Sequence, residues 1–395
     1  MAVPPRVPSM VEPDAFEVGV DLAVTPGSVV MQTPVFELIQ YRPATQAVRQ
    51  VPLLIVPPVI NKYYVMDLAP NRSMVEYLVS SGLQVFMISW RNPDARQAKW
   101  DLDTYGQAIL DAMDATARIT GSERTALAGA CSGGIIAAMV AAHLARTGQQ
   151  DRIAAATLMV TVLDQAHAGL ASAVVDERTV RVAEAASRAR GYLDGRSLAE
   201  VFAWLRPNDL IWNYWVNNYL LGRKPPPFDI LFWNADTTRM TAGLHRDFLE
   251  LGAANALVRP GGATMLGSPV DLAAVDRDSY LVAGITDHIC PWPSCYRSTQ
   301  LLGGRPRFVL STSGHVAAMV NPPGNDKARY QTAQESPEDP QEWLRDAQTC
   351  HGSWWPDYAD WLAGRCGEEK AAPAELGGGG LVPVCDAPGT YIYDR

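Results

Sequence analysis

The residues best suited to chemistry lie in residues 126–134, whose sequence is Ala-Leu-Ala-Gly-Ala-Cys-Ser-Gly-Gly. An apolar strand runs there into a glycine-rich turn and then into an alanine-rich segment, a pattern typical of the bend that exposes a catalytic nucleophile. Serine is the usual nucleophile at such a bend, whereas this chain has Cys131. A dinucleotide-binding loop fits less well, because it would require a glycine at that position. The pattern predicts that Cys131 is a nucleophile.

A cysteine at this position favours acyl transfer from a thioester. A thiolate that takes an acyl group from another thioester forms a thioester of similar free energy, so the acyl group stays activated for transfer to a hydroxyl. A serine would instead form an oxoester, with little driving force left. The structural alternative is that Cys131 is a small buried apolar side chain, as free cysteines often are.

Two later loops supply candidates for the base and the acid that a nucleophile at this bend requires. In the α/β-hydrolase architecture the chain order is nucleophile, acid, histidine, and Asp287 and His315 follow two successive predicted strands. We predict that His315 takes the proton of the Cys131 thiol and later that of the attacking hydroxyl. Asp287 either orients the imidazole or assists that hydroxyl directly. His288, next to Asp287, is the second candidate for the base.

The oxyanion that forms during acyl transfer needs backbone N–H donors. The N–H of Ser132 follows the nucleophile directly, and the second donor is expected in the loop after the first strong strand. Pro57 and Pro58 in that loop have no N–H, so Ile60 is the predicted donor. The adjacent Asn61 is predicted to lie on the substrate path.

The order of segments predicts an α/β fold with a mostly parallel central sheet. Strands are predicted at residues 52–59, 84–90, 125–129, 155–163, 279–284 and 307–311. Helices are predicted at 73–81, 102–119, 132–146, 177–190 and around 197–204. Residues 164–269 interrupt the alternation and are predicted to form an inserted cap, between core segments 1–163 and 270–395. Aromatic residues of the cap, among them Trp204 and Trp215, are expected to pack in its core, with some facing an apolar substrate path.

Composition narrows the classes of function. The 395 residues carry a net charge of -9 and scattered arginines, which argues against binding to nucleic acid. The uncharged residues 125–145 are interrupted by glycines and are interpreted as strand, turn and helix, not as a membrane span. The N-terminus lacks the apolar segment of a secretory signal, which predicts a cytoplasmic protein. Six sparse cysteines predict no disulfide framework, and Cys290 and Cys295 near Asp287 fit no zinc pattern, so no metal site is expected.

Seven motifs, which extend from about residue 16 over almost the whole chain, resemble the polyhydroxyalkanoate synthases. They are Pro57-Pro-Val-Ile-Asn-Lys-Tyr-Tyr64, Ser89-Trp-Arg-Asn-Pro93, Gly129-Ala-Cys-Ser-Gly-Gly134, Arg206-Pro-Asn-Asp-Leu-Ile-Trp-Asn-Tyr-Trp215, Asp287-His-Ile-Cys-Pro-Trp292, Ser313-Gly-His315 and Gly352-Ser-Trp-Trp-Pro356. The resemblance implies an α/β-hydrolase fold and a polymerase that joins (R)-3-hydroxyacyl groups from coenzyme A into a growing polyester. It implies no cofactor beyond that thioester donor. It also implies a homodimer at the surface of cytoplasmic polyester granules, with granule-associated proteins as further partners.

The motif Gly129-Ala-Cys-Ser-Gly-Gly134 and residues 202–222 look most similar to the branch of that family that prefers acyl chains of medium length. Single-chain members carry a sizeable N-terminal domain, so the resemblance implies a catalytic domain or a shortened enzyme. Two other functions stay open at this point. The same triad could pass the acyl group to water, as in a thioesterase or polyester depolymerase, or the chain could be a non-catalytic granule-surface protein.

Overall fold

The computed structural model describes residues 8–167, 177–197, 199–200 and 211–395. In these residues the strands are β1 (Gly27–Gln32), β2 (Phe36–Tyr41), β3 (Ala47–Arg49), β4 (Leu53–Val56), β5 (Val85–Trp90), β6 (Thr125–Ala130), β7 (Ile153–Met159), β8 (Tyr192–Leu193), β9 (Met240–Thr241), β10 (Thr264–Met265), β11 (Ser268–Pro269), β12 (Ser279–Gly284), β13 (Pro306–Ser311), β14 (Arg329–Thr332), β15 (Gln348–His351), β16 (Glu369–Ala371) and β17 (Cys385–Asp386). The α-helices are α1 (Met74–Ser80), α2 (Leu102–Thr120), α3 (Ser132–Arg146), α4 (Glu177–Arg190), α5 (Asn213–Trp215), α6 (Asp229–Ala235), α7 (Ala242–Ala254), α8 (Trp292–Tyr296), α9 (Ser298–Leu301), α10 (His315–Met319), α11 (Pro340–Asp346) and α12 (Trp355–Ala363).

Eleven of these strands form one sheet, in the order β15-β14-β13-β12-β7-β6-β4-β5-β2-β1-β17. The six strands from β13 to β5 in that order are parallel to one another. Antiparallel strands extend the sheet on both sides. Strand β6, which leads into Cys131, is the middle strand, because five strands lie on either side of it.

The parallel centre of the sheet confirms the predicted alternation of strands and helices. The six strands predicted from the sequence correspond to β4, β5, β6, β7, β12 and β13, the same six that are parallel. Such strands are buried on both faces and have nearly continuous apolar sequences, as the fully buried β6 and β12 do. The antiparallel strands at the two edges were not predicted.

Helices cover both faces of the sheet and bury its two apolar layers. On one face Ile109 of α2 and Met139 of α3 pack in the same cluster as Leu127 of β6. On the other face Leu78 of α1 and Leu362 of α12 pack in a second cluster. Because successive strand residues point to opposite faces, the central strands contribute side chains to both apolar clusters. The sheet therefore fixes the positions of the helices on its two faces relative to each other.

The uncharged run at residues 125–145 forms strand β6, a bend and helix α3, as predicted. The first residue of α3 is Ser132 and its last is Arg146, at the predicted bounds. In the part of the chain that the structure describes, no helix is long and apolar enough to cross a membrane.

The segment between β7 and β12 contains helices α4 to α7 among its described residues. Helix α4 matches its predicted bounds and packs on α7, where Nδ1 of His245 lies 2.9 Å from Oγ of Ser187. The helix predicted around 197–204 falls largely outside the described residues, and so does Trp204. The division into a core and a cap at residues 164 and 269 stays a prediction.

Candidate active site

Cys131 occupies the bend between the end of β6 and the start of α3. Its backbone has φ 50° and ψ −122°, a left-handed conformation that is unfavourable for a residue with a side chain. Such a conformation costs about 1–3 kcal/mol and persists only where the surrounding structure enforces it. The Cys131 N–H donates a hydrogen bond to the carbonyl of Met159 at 2.9 Å. The bend predicted from the sequence is therefore present, and the neighbouring strand β7 helps to hold it.

Two glycines after Cys131 allow the backbone to approach its neighbours closely. A Cβ atom on Gly133 would lie 2.3 Å from the carbonyl oxygen of Pro57. A Cβ atom on Gly134 would lie 2.1 Å from Oγ1 of Thr161. Since real Cβ atoms do not approach so closely, only glycine lets helix α3 pack against both loops and keep the cysteine on its bend.

Asp287 and His315 come together across the carboxyl ends of strands β12 and β13. Nδ1 of His315 lies 2.7 Å from Oδ2 of Asp287, and the side chain of Asp287 is fully buried. Oδ1 of the same carboxylate accepts the N–H groups of Ile289 at 2.8 Å and of Cys290 at 2.9 Å. Because both of its oxygens are engaged, the carboxylate is held in place and fixes the imidazole in one orientation. The second ring nitrogen of His315, Nε2, is not used in this contact.

The thiol of Cys131 meets the imidazole of His315 and a second thiol, that of Cys290. Donor atoms of the three side chains lie within 4.8 Å of one another. The hydrogen bond with Cys290 lowers the pKa of Cys131, burial opposes this shift, and the hydrogen bond and charge of His315 and the Ser132 N–H lower the pKa further. The net result is a Cys131 pKa well below its ordinary value, which favours the thiolate.

The pKa of the His315 imidazole is shifted in the opposite direction to that of the Cys131 thiol. Burial alone would lower the pKa of His315, but the charge and hydrogen bond of Asp287, together with Cys131, raise the pKa of His315 to about 10. A lowered thiol pKa beside a raised imidazole pKa describes a thiolate–imidazolium pair. Such a pair provides an activated nucleophile and, in the imidazolium, a proton for a leaving group.

The contact between Cys290 and Cys131 was not predicted. From the sequence, the only role that Cys290 suggests is that of a metal ligand, and its spacing fits no zinc pattern. The hydrogen bond with Cys131 and, after it, burial raise the pKa of Cys290 well above its ordinary value, so it is the protonated member of the pair. Its position three residues after Asp287 was the available signal, because a loop that carries the acid to the site also carries the residues that follow it.

The loop after β4, where the second oxyanion donor was predicted, is tied to the bend. The N–H of Val59 donates to Oγ of Ser132 at 3.1 Å, and Nε1 of Trp90 donates to the carbonyl of Pro57 at 3.1 Å. Ile60 follows, half-buried, and its carbonyl accepts the N–H of Thr238 at 3.3 Å. The structural role of the Ser132 hydroxyl was not predicted.

The remaining predicted residues are placed as follows. His288 is half-buried and does not belong to the cluster of Cys131 and its two partners. Asn61 forms an isolated antiparallel bridge with Thr237 of the segment between β7 and β12. Trp215 packs on Tyr219 with a ring-centroid distance of 4.4 Å.

Comparison with known proteins gives two family matches and several relatives. Residues 5–78 match the model described as Poly-beta-hydroxybutyrate polymerase (PhaC) N-terminus, and residues 52–322 match the model of the alpha/beta hydrolase fold. The second match and the parallel sheet confirm the predicted α/β-hydrolase fold.

Poly(3-hydroxyalkanoate) polymerase 2 of Ectopseudomonas oleovorans is 49% identical over 389 residues, which cover 98% of this chain and 70% of that protein. Poly(3-hydroxyalkanoate) polymerase 1 of the same organism is also 49% identical and is covered to 69%. The polymerase subunit PhaC of Cupriavidus necator is 44% identical over 97% of this chain and 66% of that protein.

Proposed function

The chain belongs to the family of poly(3-hydroxyalkanoate) polymerases, which are acyltransferases, and we propose how its side chains catalyse the polymerisation. The proposed reaction transfers (R)-3-hydroxyacyl groups from coenzyme A thioesters to a growing polyester, through a thioester on Cys131. The observation that carries the proposal is the arrangement of three side chains: a buried carboxylate on Nδ1 of His315, and the imidazole in contact with a cysteine held on a strained bend.

In the first step, the Cys131 thiolate attacks the thioester carbonyl of the substrate. The C–S bond to Cys131 forms, the bond to coenzyme A breaks, and the leaving thiolate takes the proton of the His315 imidazolium. In the second step, neutral His315 removes the proton of the attacking 3-hydroxyl, an ester forms, and Cys131 leaves as a thiolate. The first step replaces the thioester of coenzyme A with a thioester on Cys131 of similar free energy. The free energy released when a thioester becomes an ester is therefore available for the second step.

The sequence is compatible with two roles of Asp287, which could orient His315 or assist the hydroxyl. The surroundings of its carboxylate favour the first role. Oδ2 is engaged by His315, and Oδ1 accepts two backbone N–H groups. These contacts use three of the about four acceptor sites of the carboxylate, and because its side chain is fully buried, it is poorly placed to accept a substrate hydroxyl. We propose that Asp287 orients the imidazole.

The oxyanion of each tetrahedral intermediate is proposed to accept the N–H groups of Ser132 and Ile60. The Ser132 N–H already lies close enough to the Cys131 sulfur to lower the pKa of its thiol. The N–H of Val59 is occupied by Oγ of Ser132, so the next N–H along this loop, that of Ile60, is the natural second donor. Asn61 and Trp215 are proposed to line the path of the acyl chain.

The proposal is tested by the fate of the acyl group. We expect that the protein, given an (R)-3-hydroxyacyl-CoA, releases coenzyme A together with insoluble polyester, and that intact-mass measurement finds acyl adducts that are absent in Cys131→Ala. Free hydroxy acid as the sole product would identify a hydrolase. Undiminished polymer from Cys131→Ala would refute the nucleophile. No coenzyme A release at all would support a non-catalytic protein.

Chain-length preference, assembly and location are part of the same proposal. Identity is higher to the Ectopseudomonas polymerases than to the Cupriavidus subunit, and we propose a preference for medium-length acyl groups, measurable as kcat/KM over a substrate series. We further propose that the chain acts as a homodimer at the surface of cytoplasmic granules, with granule-associated partners and without a metal or cofactor. Light scattering, co-sedimentation with polyester and activity in the presence of a chelator test these points.

A further inference from the structure

We propose that Cys131, Cys290 and His315 together form a binding site for one divalent cation of the Zn²⁺ type, and that a bound cation blocks the enzyme. The inference goes beyond the proposed function, because cation binding requires only the geometry of these side chains and no turnover. Cys290 is essential to it: without a second thiol, a lone cysteine and histidine would not make such a site.

The spacing of the donor atoms fits a zinc-type site. One donor atom from each of the three side chains lies within 4.8 Å of the other two. In tetrahedral sites the Zn–S and Zn–N distances are about 2.3 Å and about 2.0 Å, so the ligands lie roughly 3.5–4 Å from each other. The donor atoms therefore need to approach each other by roughly 1.3 Å at most. Two thiolates and one imidazole are a known set for sites that keep a fourth position open.

A single buried carboxylate helps to position two of the three proposed ligands. Metal-bound histidines usually donate their other ring N–H to such a group, which fixes the orientation of the ring. Asp287 does this here, since its Oδ2 lies 2.7 Å from Nδ1 of His315 and Nε2 is left for a cation. Oδ1 of Asp287 also accepts the backbone N–H of Cys290. The carboxylate that orients one proposed ligand therefore also positions the backbone of a second.

The charges of the site also match. A divalent cation bound by two thiolates gives a neutral centre, which suits the surroundings because Cys290 is only 8% exposed and packs in the apolar core. On binding, the Nε2 proton of the His315 imidazolium and any proton still on the two thiols pass to solvent, so that the neutral imidazole and a lone pair of Cys131 each form a bond to the cation. That lone pair is the one with which Cys131 would attack a thioester, so binding removes the nucleophile.

Direct cation binding is the first test. The metal-free protein, kept reduced with a phosphine, is titrated with Co²⁺ as a spectroscopic probe. We expect one equivalent to give tetrahedral d–d bands and thiolate-to-cobalt charge-transfer absorption, which Zn²⁺ then displaces. Cys290→Ser should bind Co²⁺ about tenfold or more weakly, with about half the charge-transfer intensity. The matched control is Cys295→Ser, which alters another buried cysteine of the same segment and should bind normally.

The second test is inhibition of the enzymatic activity by Zn²⁺. The rate of each variant with Zn²⁺ is compared with the rate of the same variant without metal. Zn²⁺ should inactivate the native enzyme at one equivalent, a chelator should restore activity, and Cys290→Ser should need at least about ten times more Zn²⁺. If Cys290→Ser does not fold, protection of native Cys131 from iodoacetamide by Zn²⁺ replaces it. The inference is overturned if native protein forms no thiolate complex, if Cys290→Ser binds as tightly as native, or if Zn²⁺ gives no protection. None of the binding readouts needs polymerase activity.

Discussion

The backbone N–H of Val59 and the hydroxyl of Ser132 are joined by a hydrogen bond of 3.1 Å, which fastens the loop after β4 to the first turn of α3. The two proposed oxyanion donors are close to this bond: the N–H of Ile60 follows Val59 directly, and the N–H of Ser132 belongs to the residue that carries the hydroxyl. The hydrogen bond therefore helps to set the distance between the two donors. Stabilisation of an oxyanion by paired N–H groups depends on that distance.

Ser132→Ala keeps the backbone donor but leaves the N–H of Val59 without its acceptor. We expect kcat to fall about tenfold or more, with a loss of about 1 kcal/mol in the free energy of unfolding. The control is Ser80→Ala, which removes an exposed hydroxyl that bonds only within helix α1. Steady-state kinetics and urea unfolding measure the two effects. An unchanged kcat would mean that the loop is held without this bond.

The rate at which iodoacetamide alkylates Cys131 should depend little on pH. Its lowered pKa and the raised pKa of His315, about 10, keep the thiolate–imidazolium pair populated between the two. A free thiol would lose roughly two orders of magnitude in rate from about pH 8 to about pH 6, whereas Cys131 should lose far less. In His315→Gln the imidazolium is gone, the pKa of Cys131 rises, and the steep dependence should return. A steep profile in the native protein would contradict the ion pair.

Asp287→Asn retains the size of the side chain but removes its charge. We expect kcat to drop about 10²–10⁴-fold, because an amide cannot hold Nδ1 of His315 and stabilise the imidazolium as the carboxylate does. The pKa of His315 should fall with it, which NMR titration of the ring would detect. Asp278→Asn is the control, since that carboxylate pairs with Arg365 at 2.7 Å, is partly exposed and lies outside the site. Equal effects of the two substitutions would argue against the positioning role.

Gly134→Ala tests the close packing beneath Cys131, the proposed nucleophile. The added methyl would meet Thr161 at 2.1 Å, so we expect a loss of about 1–3 kcal/mol in unfolding free energy and a strong loss of activity. Gly252→Ala is the matched control, because Gly252 lies in helix α7 with nothing within 4 Å of the new Cβ. That change should stabilise the protein by about 0.5–1 kcal/mol. Thermal unfolding of both variants measures the contrast.

Lys62 links the proposed oxyanion loop to the C-terminal residues. Its buried Nζ donates to the carbonyls of Asp394, at 2.8 Å, and of Ile392. Burial lowers the pKa of Lys62, and nearby carboxylates offset part of this shift. Lys62→Met leaves the Ile392 carbonyl without its donor and the Asp394 carbonyl with only Nδ2 of Asn92, at 3.2 Å, so we expect a loss of about 2 kcal/mol in unfolding free energy and a lower kcat. Lys370→Met removes a single bond, to Thr120, and should cost less.

Much of this fold follows from the sequence because buried parallel strands have a distinctive apolar pattern. Strands β12 and β13 were predicted almost to the residue, and with them the loops that bring Asp287 and His315 together. The edge strands β14 and β15 escaped prediction because they are half-exposed or exposed and have no such pattern. The contact of Cys290 with Cys131 also escaped, because it depends on how the loop after β12 turns, which no local residue pattern determines.

The middle position of β6 in the sheet has a consequence for how the molecule loses structure. Strands at a sheet edge open most readily, and amide hydrogens there exchange soonest, whereas central strands open only with the whole domain. Five strands must separate on either side before fraying reaches the residue that precedes Cys131. The thiol of Cys131, the proposed nucleophile, therefore follows the strand that is expected to open last, and partial opening at either edge of the sheet leaves its position unchanged.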